Sequence, residues 1–452
     1  MHFKVLLYQM DKWLYPSSLN INGSTYILEY AVTSEAQGAA PMASVVMFIL
    51  IPTGLSVVSC LFILFYISFT SNFFIHSHQT HLTFNISFVG NPMIHTHTHV
   101  QFNGNHVNDN DVFHDRDAFV DNYKEMNRSL KIYVYPHQKD DPFSNVLLAV
   151  DFEPGGNYAS ESYFKKVLKM SHFITRDPSN ADLFFLPFSI ARLRHDPRVG
   201  INGIKDFIKS YIFNISHEYP YWNLTNGADH FYVACHSIGR FAMEKVVDVK
   251  INVIQVVCTS SYFVSAYIPH KDASLPQIWP RLGGNPDFAP YKRKKLGFFA
   301  GSLNSPVREK LLEWWGNDSD IFVHSGRLER SYTEELLGSK FCLHVKGFEV
   351  NTARIVDALF YGCVPVIIAN HYDLPFADIL DWKHFSVIVA TLDIPLLKKI
   401  LQGITQQEYL VLQSNVLKVR EHFQWHVSPI DFDAFYMVMY ELWLRRSSLR
   451  LQ

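Results

Sequence analysis

Apolar residues in the last two thirds of the chain alternate between short continuous runs and longer periodic stretches. Continuous runs are typical of strands buried on both faces, and periodic stretches are typical of amphipathic helices. The runs cover residues 131–136, 181–189, 230–236, 296–301, 340–345 and 364–368, and the periodic stretches cover 158–171, 201–213, 307–315, 349–361 and 431–449. This alternation predicts an α/β fold with parallel sheets covered on both faces. The length of 452 residues suits two such domains.

The most informative stretch, residues 339–382, is predicted to form a strand, a helix and a second strand. Gly347 follows the first strand and permits a close turn, and Gly362 stands where a helix C-cap belongs. Glu349 and Asp357 are eight residues apart, so both lie near one face of the predicted helix. Units of this kind bind nucleotides at the carboxyl ends of strands and at helix N-termini.

The same stretch resembles the signature block of the exostosin-like glycosyltransferases (glycosyltransferase family 47), particularly the plant members. The matching positions run through the whole block: Phe341, Cys342, Leu343, Gly347, Glu349, Val350, Arg354, Ala358, Gly362, Cys363, Pro365, Val366, Tyr372, Leu374, Pro375, Phe376 and Trp382. The resemblance implies a GT-B fold, in which two Rossmann-like domains face a cleft. It also implies inverting transfer of a sugar from a nucleotide sugar, often UDP-linked. Plant members build cell-wall polysaccharides such as xyloglucan, xylan and pectin.

The donor is expected to bind mainly in the second domain. A strand, a turn of small residues and a helix opening at Arg308 form an anion site. The donor fork of Arg308 suits a diphosphate, and the family motif FFAGxxxxxxR includes it; otherwise it is an ordinary surface arginine. Further donor contacts are predicted in the signature block: Lys346, Gly347 and Arg354 for phosphate, and Glu349 and Asp357 for hydroxyls of a ribose or donor sugar. Arg354 could instead pair with an acid.

Residues 219–240 offer candidates for the base that inverting transfer requires, because the acceptor hydroxyl must lose a proton as it attacks. Asp229, His230 and His236 bracket a predicted strand, and His236 lies at its carboxyl end. We predict His236 and Asp229 as the catalytic residues. The alternative is that Asp229 caps a turn and His230 fills a core edge.

This stretch resembles the family pattern GADHFxVACHDWG, but Ser237 and Ile238 stand where that pattern has Asp and Trp. One alternative function is therefore a catalytically impaired family member that acts as a scaffold partner of another transferase. A second alternative is a membrane protein that binds glycans through aromatic residues, which make up 15% of the chain.

The first third of the chain predicts a membrane anchor. Residues 43–69 contain no charged residue and are long enough to cross a bilayer as one helix. They begin too late for a cleaved signal peptide, and after them no Lys or Arg occurs until Arg116, which favours a cytosolic N-terminus. We predict a type II membrane protein of the Golgi apparatus. The predicted parts are a cytosolic tail (1–42), the anchor (43–69), a lumenal stem (70–121), an acceptor domain (122–285), a donor domain (286–430) and a C-terminal helix that packs back (431–452).

The remaining composition narrows the expected partners. Five N-glycosylation sequons lie beyond the predicted anchor and suit a lumenal chain: Asn85, Asn127, Asn214, Asn223 and Asn317. A formal net charge of -2 gives no indication of a nucleic-acid partner. The D-x-D triplet that could bind a metal is missing after the apolar strands, so we expect no metal or other cofactor. Cys342 and Cys363 lie on adjacent predicted strands, where they could form a disulfide, but we favour buried thiols.

Overall fold

The computed structural model describes residues 112–263, 267–281, 286, 288–329 and 331–449. By its internal contacts the chain divides into residues 1–99 and 100–452, and every described residue belongs to the second part. The predicted cytosolic tail, membrane anchor, Asn85 and the stem up to residue 111 lie outside the described residues. None of the described helices is long and apolar enough to cross a bilayer.

Six parallel strands form the first sheet: β1 (Ile132–Val134), β2 (Ile174–Thr175), β3 (Leu183–Phe185), β4 (His230–Ala234), β5 (Ile254–Val257) and β6 (Ala273–Ser274). Their order across the sheet is β2-β1-β3-β4-β5-β6. Phe231 of β4 pairs with Ile254 of β5, and both side chains are fully buried. Every residue of β4 and β5 is buried, so these central strands are covered on both faces, as the continuous apolar runs predict.

Five parallel strands form the second sheet: β7 (Lys295–Gly301), β8 (Ile321–Ser325), β9 (Ser339–Val345), β10 (Val364–Ile368) and β11 (Val387–Ile388). Their order is β11-β10-β9-β7-β8. The signature block supplies the neighbours β9 and β10, with Leu343 opposite Val366. Two parallel sheets confirm the predicted α/β class.

Helices connect the strands of both sheets. Around the first sheet they are α1 (Arg116–Ser129), α2 (Ser144–Leu147), α3 (Ala159–Met170), α4 (Ile190–His195), α5 (Gly200–Glu218), α6 (Tyr221–Thr225), α7 (Gly239–Ala242) and α8 (Val247–Ile251). The later helices are α9 (Pro306–Trp315), α10 (Tyr332–Gly338), α11 (Arg354–Phe360), α12 (Leu397–Gly403), α13 (Gln406–Val419) and α14 (Ala434–Leu449). Short 3-10 turns occupy Pro178–Asn180, Pro290–Lys292, Trp382–His384, Thr391–Leu396 and Arg420–Phe423.

The helix of the signature block is shorter than predicted, because it begins at Arg354 rather than at Glu349. The Thr352 hydroxyl accepts the backbone N–H of Arg354, which gives the chain a local hydrogen bond before the helix starts. The N–H of Gly347 donates to the Glu349 carbonyl and closes a turn ahead of it. The end agrees with prediction, since Gly362 has a φ of 63° just beyond the helix.

The last helix packs against the first sheet and its helices. Phe435 of α14 lies 5.8 Å from Phe164 of α3, measured between ring centres. Arg446 pairs with Asp182 at 3.1 Å. The Arg445 guanidinium donates to the carbonyl of Asp272, just before β6. The C-terminal segment therefore completes the core that the first half of the chain begins.

Two disulfides join the four described cysteines. Cys342 of β9 pairs with Cys363, one residue before β10, so the prediction of buried thiols is wrong: the neighbouring strands bring the two sulfur atoms together. Cys235 pairs with Cys258, and this second disulfide joins the carboxyl ends of β4 and β5. The sequence gives no sign of the second pairing, because it depends on two strands that become neighbours only in the folded sheet.

Candidate functional site

A cavity of about 600 Å³ opens at the carboxyl ends of β7 and β8. Gln277 and Trp279, which follow the first sheet in the chain, line its other wall. The carboxyl edge of parallel strands is where open α/β sheets bind their ligands. The charged residues that line the cavity are Arg281, Arg308, Arg327, Arg354 and Asp357. The excess of positive charge suits an anionic ligand such as a diphosphate.

Arg308 is a buried cation on the floor of this cavity, with only 3% of its surface exposed. Its guanidinium donates to the carbonyl oxygens of Val345 and Ser302 and to the Asn304 side chain, at 2.9 to 3.1 Å. Burial and the neighbouring Arg354 lower the pKa of Arg308 to about 10, so it stays charged at neutral pH. Arg308 is therefore a fixed positive charge rather than an ordinary surface arginine.

Arg354 is the second fixed cation of the cavity. Its Nε and Nη2 atoms both donate to the Ala300 carbonyl, at 3.1 and 2.8 Å. This approach requires Gly301, because a Cβ at that position would lie 2.3 Å from Nη2. Arg354 and Arg308 both lie over the Phe299 ring, at 5.3 and 5.5 Å from its centre. The two guanidinium groups thus share one aromatic support and both reach the cavity.

Asp357 lines the same cavity but is already paired. Arg281 donates to both of its carboxylate oxygens, at 2.8 and 2.7 Å. Burial raises the pKa of Asp357, and the Arg281 guanidinium opposes that rise. The pair links the segment after β6 to α11, so it joins the two walls of the cavity. Asp357 can still accept a ribose hydroxyl through its remaining lone pairs.

A smaller cavity of about 150 Å³ adjoins the first. Glu349 and Gly347 line it from the second sheet, and Tyr158, Cys235 and Ser237 line it from the first. The residues that line both cavities are Gln277, Asn304, Arg308 and Thr352. Glu349 and Asp357, which the sequence places on one helix face, therefore belong to two adjacent compartments with Arg308 between them.

Lys346 lines neither cavity. Its backbone N–H donates to the Ile368 carbonyl at 3.0 Å, and its own carbonyl accepts the Ser305 hydroxyl at 2.6 Å. The next residue, Gly347, packs so tightly that a Cβ there would lie 2.8 Å from Nη2 of Arg308. The backbone of this segment therefore supports the arginine.

The two predicted catalytic residues lie at opposite ends of β4. Asp229 precedes the strand and accepts hydrogen bonds from the Thr225 hydroxyl at 2.6 Å and from Nδ1 of His230 at 2.7 Å. It lies outside both cavities, and its contacts match the alternative in which it closes a turn. His230 is fully buried against Tyr135.

His236 follows β4 at the carboxyl edge and is 6% exposed. The Tyr158 ring covers it at 4.4 Å between ring centres, and its Nδ1 accepts the backbone N–H of Ile238 at 3.1 Å. Burial, with further contributions from Arg194 and His195, lowers the pKa of His236 to about 4. His236 is therefore neutral at neutral pH and is flanked by Cys235 and Ser237, which line the smaller cavity.

Arg281 and Tyr158 are site residues that the sequence reasoning missed. Arg281 stands 76 positions before its partner Asp357, and no local pattern signals the pairing. Tyr158 precedes α3 and reads as an ordinary apolar residue of an amphipathic helix. Only the folded chain brings both residues to the cleft.

Residues 126–404 match the family described as the exostosin GT47 domain. A probable glycosyltransferase of Arabidopsis thaliana is 37% identical over 349 residues, which cover 74% of this chain and 65% of that relative. A probable glucuronoxylan glucuronosyltransferase of the same plant is 25% identical and covers 70% of this chain and 72% of its own. A solved bacterial structure, the lipopolysaccharide glycosyltransferase WaaG, aligns at a TM-score of 0.29 with 12% identity, covering 69% of this chain and 99% of its own.

Proposed function

Because the chain belongs to the exostosin GT47 family of glycosyltransferases, we propose that it transfers a sugar from a nucleotide sugar to a cell-wall polysaccharide. The observation that carries this proposal is the pair of adjacent cavities that share the buried cation Arg308. In this assignment the nucleoside occupies the larger cavity and the donor sugar occupies the smaller one. The diphosphate lies between Arg308 and Arg354.

We assign the chain to the GT-B arrangement, with inversion at the anomeric carbon and a UDP-linked donor. Two parallel sheets whose carboxyl ends meet at shared cavities support the arrangement. The two arginines supply positive charge where the diphosphate would leave, which supports a transferase that needs no metal. Adding a chelator should therefore leave transfer unchanged.

Glu349 is the carboxylate that the smaller cavity offers to the donor sugar or to the attacking hydroxyl. Among the described residues, Glu349 and Asp357 are the only acids that line the two cavities, and Arg281 holds Asp357. The Glu349 carboxylate can accept hydrogen bonds from sugar hydroxyls and can receive a proton. Its loss should reduce transfer far more than it reduces nucleotide binding.

The two disulfides support a location in the secretory pathway, since disulfides persist in oxidising compartments and are rare in the cytosol. We propose a type II protein of the Golgi membrane with the described residues in the lumen. In that orientation the exposed sequons Asn214, Asn223 and Asn317 face the glycosylation machinery. Complexes with other transferases are compatible with this location.

The decisive experiment is transfer and binding by the full-length protein with a panel of UDP- and GDP-sugars and cell-wall acceptors. Glu349→Gln should abolish transfer and keep UDP binding. Glu334→Gln, an exposed glutamate of α10 outside both cavities, is the matched control and should behave like wild type. Absence of any nucleotide binding by the wild type would overturn the proposal.

A scaffold function is the second candidate, and a specific observation favours it. Ser237 lines the smaller cavity where the family pattern has Asp, and the neighbouring His236 has its Nδ1 engaged by the Ile238 N–H. Nucleotide-sugar binding without transfer to any acceptor would support this candidate. Binding of glycans without nucleotides would instead support a glycan-binding protein.

A further inference from the structure

Two hydrogen-bond donors face each other at the carboxyl edge of the first sheet. Arg194 belongs to α4, which follows β3, and His236 follows the neighbouring strand β4. Nη1 of Arg194 lies 2.7 Å from Nε2 of His236. Arg194 is half-buried and His236 nearly fully buried, so both groups are held in place by their surroundings.

The tautomer of His236 makes this contact unfavourable as it stands. Nδ1 accepts the N–H of Ile238, so it carries no proton. A neutral imidazole then carries its proton on Nε2, which points at the guanidinium. The lowered pKa of His236 agrees with the neutral form. Two N–H groups therefore converge on a point where an acceptor oxygen would satisfy both.

Arg194 also lacks a negative partner. Within the described part of the chain it forms no ion pair with a carboxylate, and its guanidinium contacts His236. The same helix adds a second positive charge through Arg192. Ser237, which follows His236, stands where the family pattern has an acid. An anion from outside the chain is therefore the complementary group.

We propose that Arg194 and His236 bind the carboxylate of a uronic acid residue in the acceptor polysaccharide. This proposal rests on the proposed function. The site adjoins the smaller cavity through Cys235, Ser237 and Tyr158, so it lies within reach of an acceptor that enters there. An arginine fork and an imidazole N–H match the two oxygens of a carboxylate.

The donor is the less suitable source of this anion. Its phosphates are matched by Arg308 and Arg354, which belong to the second-sheet side of the cleft. Arg194 belongs to the first sheet's side of the chain, in the helix between β3 and β4. In this assignment each wall has its own positive charge, one for the donor and one for the acceptor. His236 then orients the acceptor instead of removing its proton.

The test compares glucuronoxylan oligosaccharides with the same oligosaccharides after reduction of their carboxyl groups. Affinities are measured by calorimetry for the full-length wild type, Arg194→Gln, Arg192→Gln and Ser237→Asp. Because hydrogen bonds to a charged group are strong, we expect the wild type to bind the acidic oligosaccharide roughly tenfold more tightly than the reduced one. Arg194→Gln should remove this preference.

Two variants test whether the preference for the acidic form depends on Arg194 itself or only on the positive charge of its helix. Arg192→Gln removes the same charge from the same helix, where the side chain donates to the Asn145 carbonyl, and it should keep the preference. Ser237→Asp should abolish it, because the new carboxylate can occupy Arg194. Equal affinity of the wild type for both forms, or equal losses in Arg192→Gln and Arg194→Gln, would overturn the proposal.

UDP binding measured on the same samples distinguishes this inference from the proposed function. Wild-type protein that binds UDP but does not distinguish the two oligosaccharides would refute the uronate site alone. Wild-type protein that distinguishes them but does not bind UDP would refute the transferase assignment and leave the uronate site standing.

Discussion

Replacing Gly301 with alanine is expected to displace Arg354 without disturbing the sheet. The added Cβ would lie 2.3 Å from Nη2 of Arg354, and ordinary contact requires at least 3.4 Å. The guanidinium must therefore move by about 1 Å, which stretches its 2.8 Å hydrogen bond to Ala300 beyond bonding distance. The other groups near the new Cβ, the Arg354 Cζ and the Phe299 ring, lie at 3.2 and 3.4 Å.

The expected magnitude follows from the hydrogen bond to the diphosphate that a displaced Arg354 would lose. A hydrogen bond from a charged group contributes about 1.5–3 kcal/mol. If Arg354 binds the diphosphate, Gly301→Ala should weaken UDP binding roughly 10- to 150-fold, because the Ala300 carbonyl no longer holds the guanidinium in place. The free energy of unfolding should change by less than about 1 kcal/mol, because the displaced atom is the end of a flexible side chain.

Calorimetric titration of UDP into the full-length protein measures this effect, and chemical denaturation measures the stability. Gly297→Ala is the matched control on the same strand, since its Cβ would meet Ile321 at 3.4 Å, an ordinary contact. It should bind UDP like wild type. Unchanged UDP affinity in Gly301→Ala, or the same loss in Gly297→Ala, would refute the role assigned to Arg354.

Three further predictions concern stability and modification. Cys363→Ser should lower the free energy of unfolding by about 2–4 kcal/mol, measured by denaturation in oxidising buffer; the same effect in reducing buffer would mean that no bond to Cys342 exists. The pKa of His236 is about 4 in the folded protein and 6.5 ordinarily, so the unfolded chain binds a proton more readily and the folded state loses stability as the pH falls from 6.5 towards 4. His236→Gln should therefore flatten the curve of unfolding free energy against pH over that range, and an unchanged curve would contradict the shift. Mass spectrometry of protein from a secretory host should find glycans on the exposed Asn214 and Asn223; two unmodified sites would contradict the lumenal orientation.

Three strands of the second sheet, β7, β9 and β10, could be predicted from the sequence, because buried parallel strands leave continuous apolar runs such as 340–345 and 364–368; β8 and β11 were not predicted. Gly362 could be predicted too, since a left-handed residue after a helix is a local requirement. The start of α11 could not. Val350 is apolar and buried but belongs to the preceding loop, and periodicity does not separate a buried loop from a first helical turn.

The site residues also divide into those that local sequence predicts and those that only the fold brings into place. Arg308 and Arg354 could be anticipated, because each stands near the start of a helix that follows a strand. Asp229 has the chemistry of a general base, yet the direction of β4 carries it to the edge opposite His236. Arg281 and Arg194 meet their partners through contacts between distant segments, 76 and 42 positions apart. Sequence spacing contains no information on such pairs.

The packing of α14 on the first sheet has a consequence for biosynthesis. Arg446 and Asp182 are 264 positions apart, and at about 5–20 residues per second the ribosome needs roughly 13–53 seconds to add the second after the first. During that interval the apolar face of α3 near Phe164 lacks its cover from Phe435. The nascent first sheet therefore keeps this apolar face uncovered until the last helix has been made. A premature stop codon that removes only the last helix should leave an aggregation-prone chain even though both cavities are already encoded.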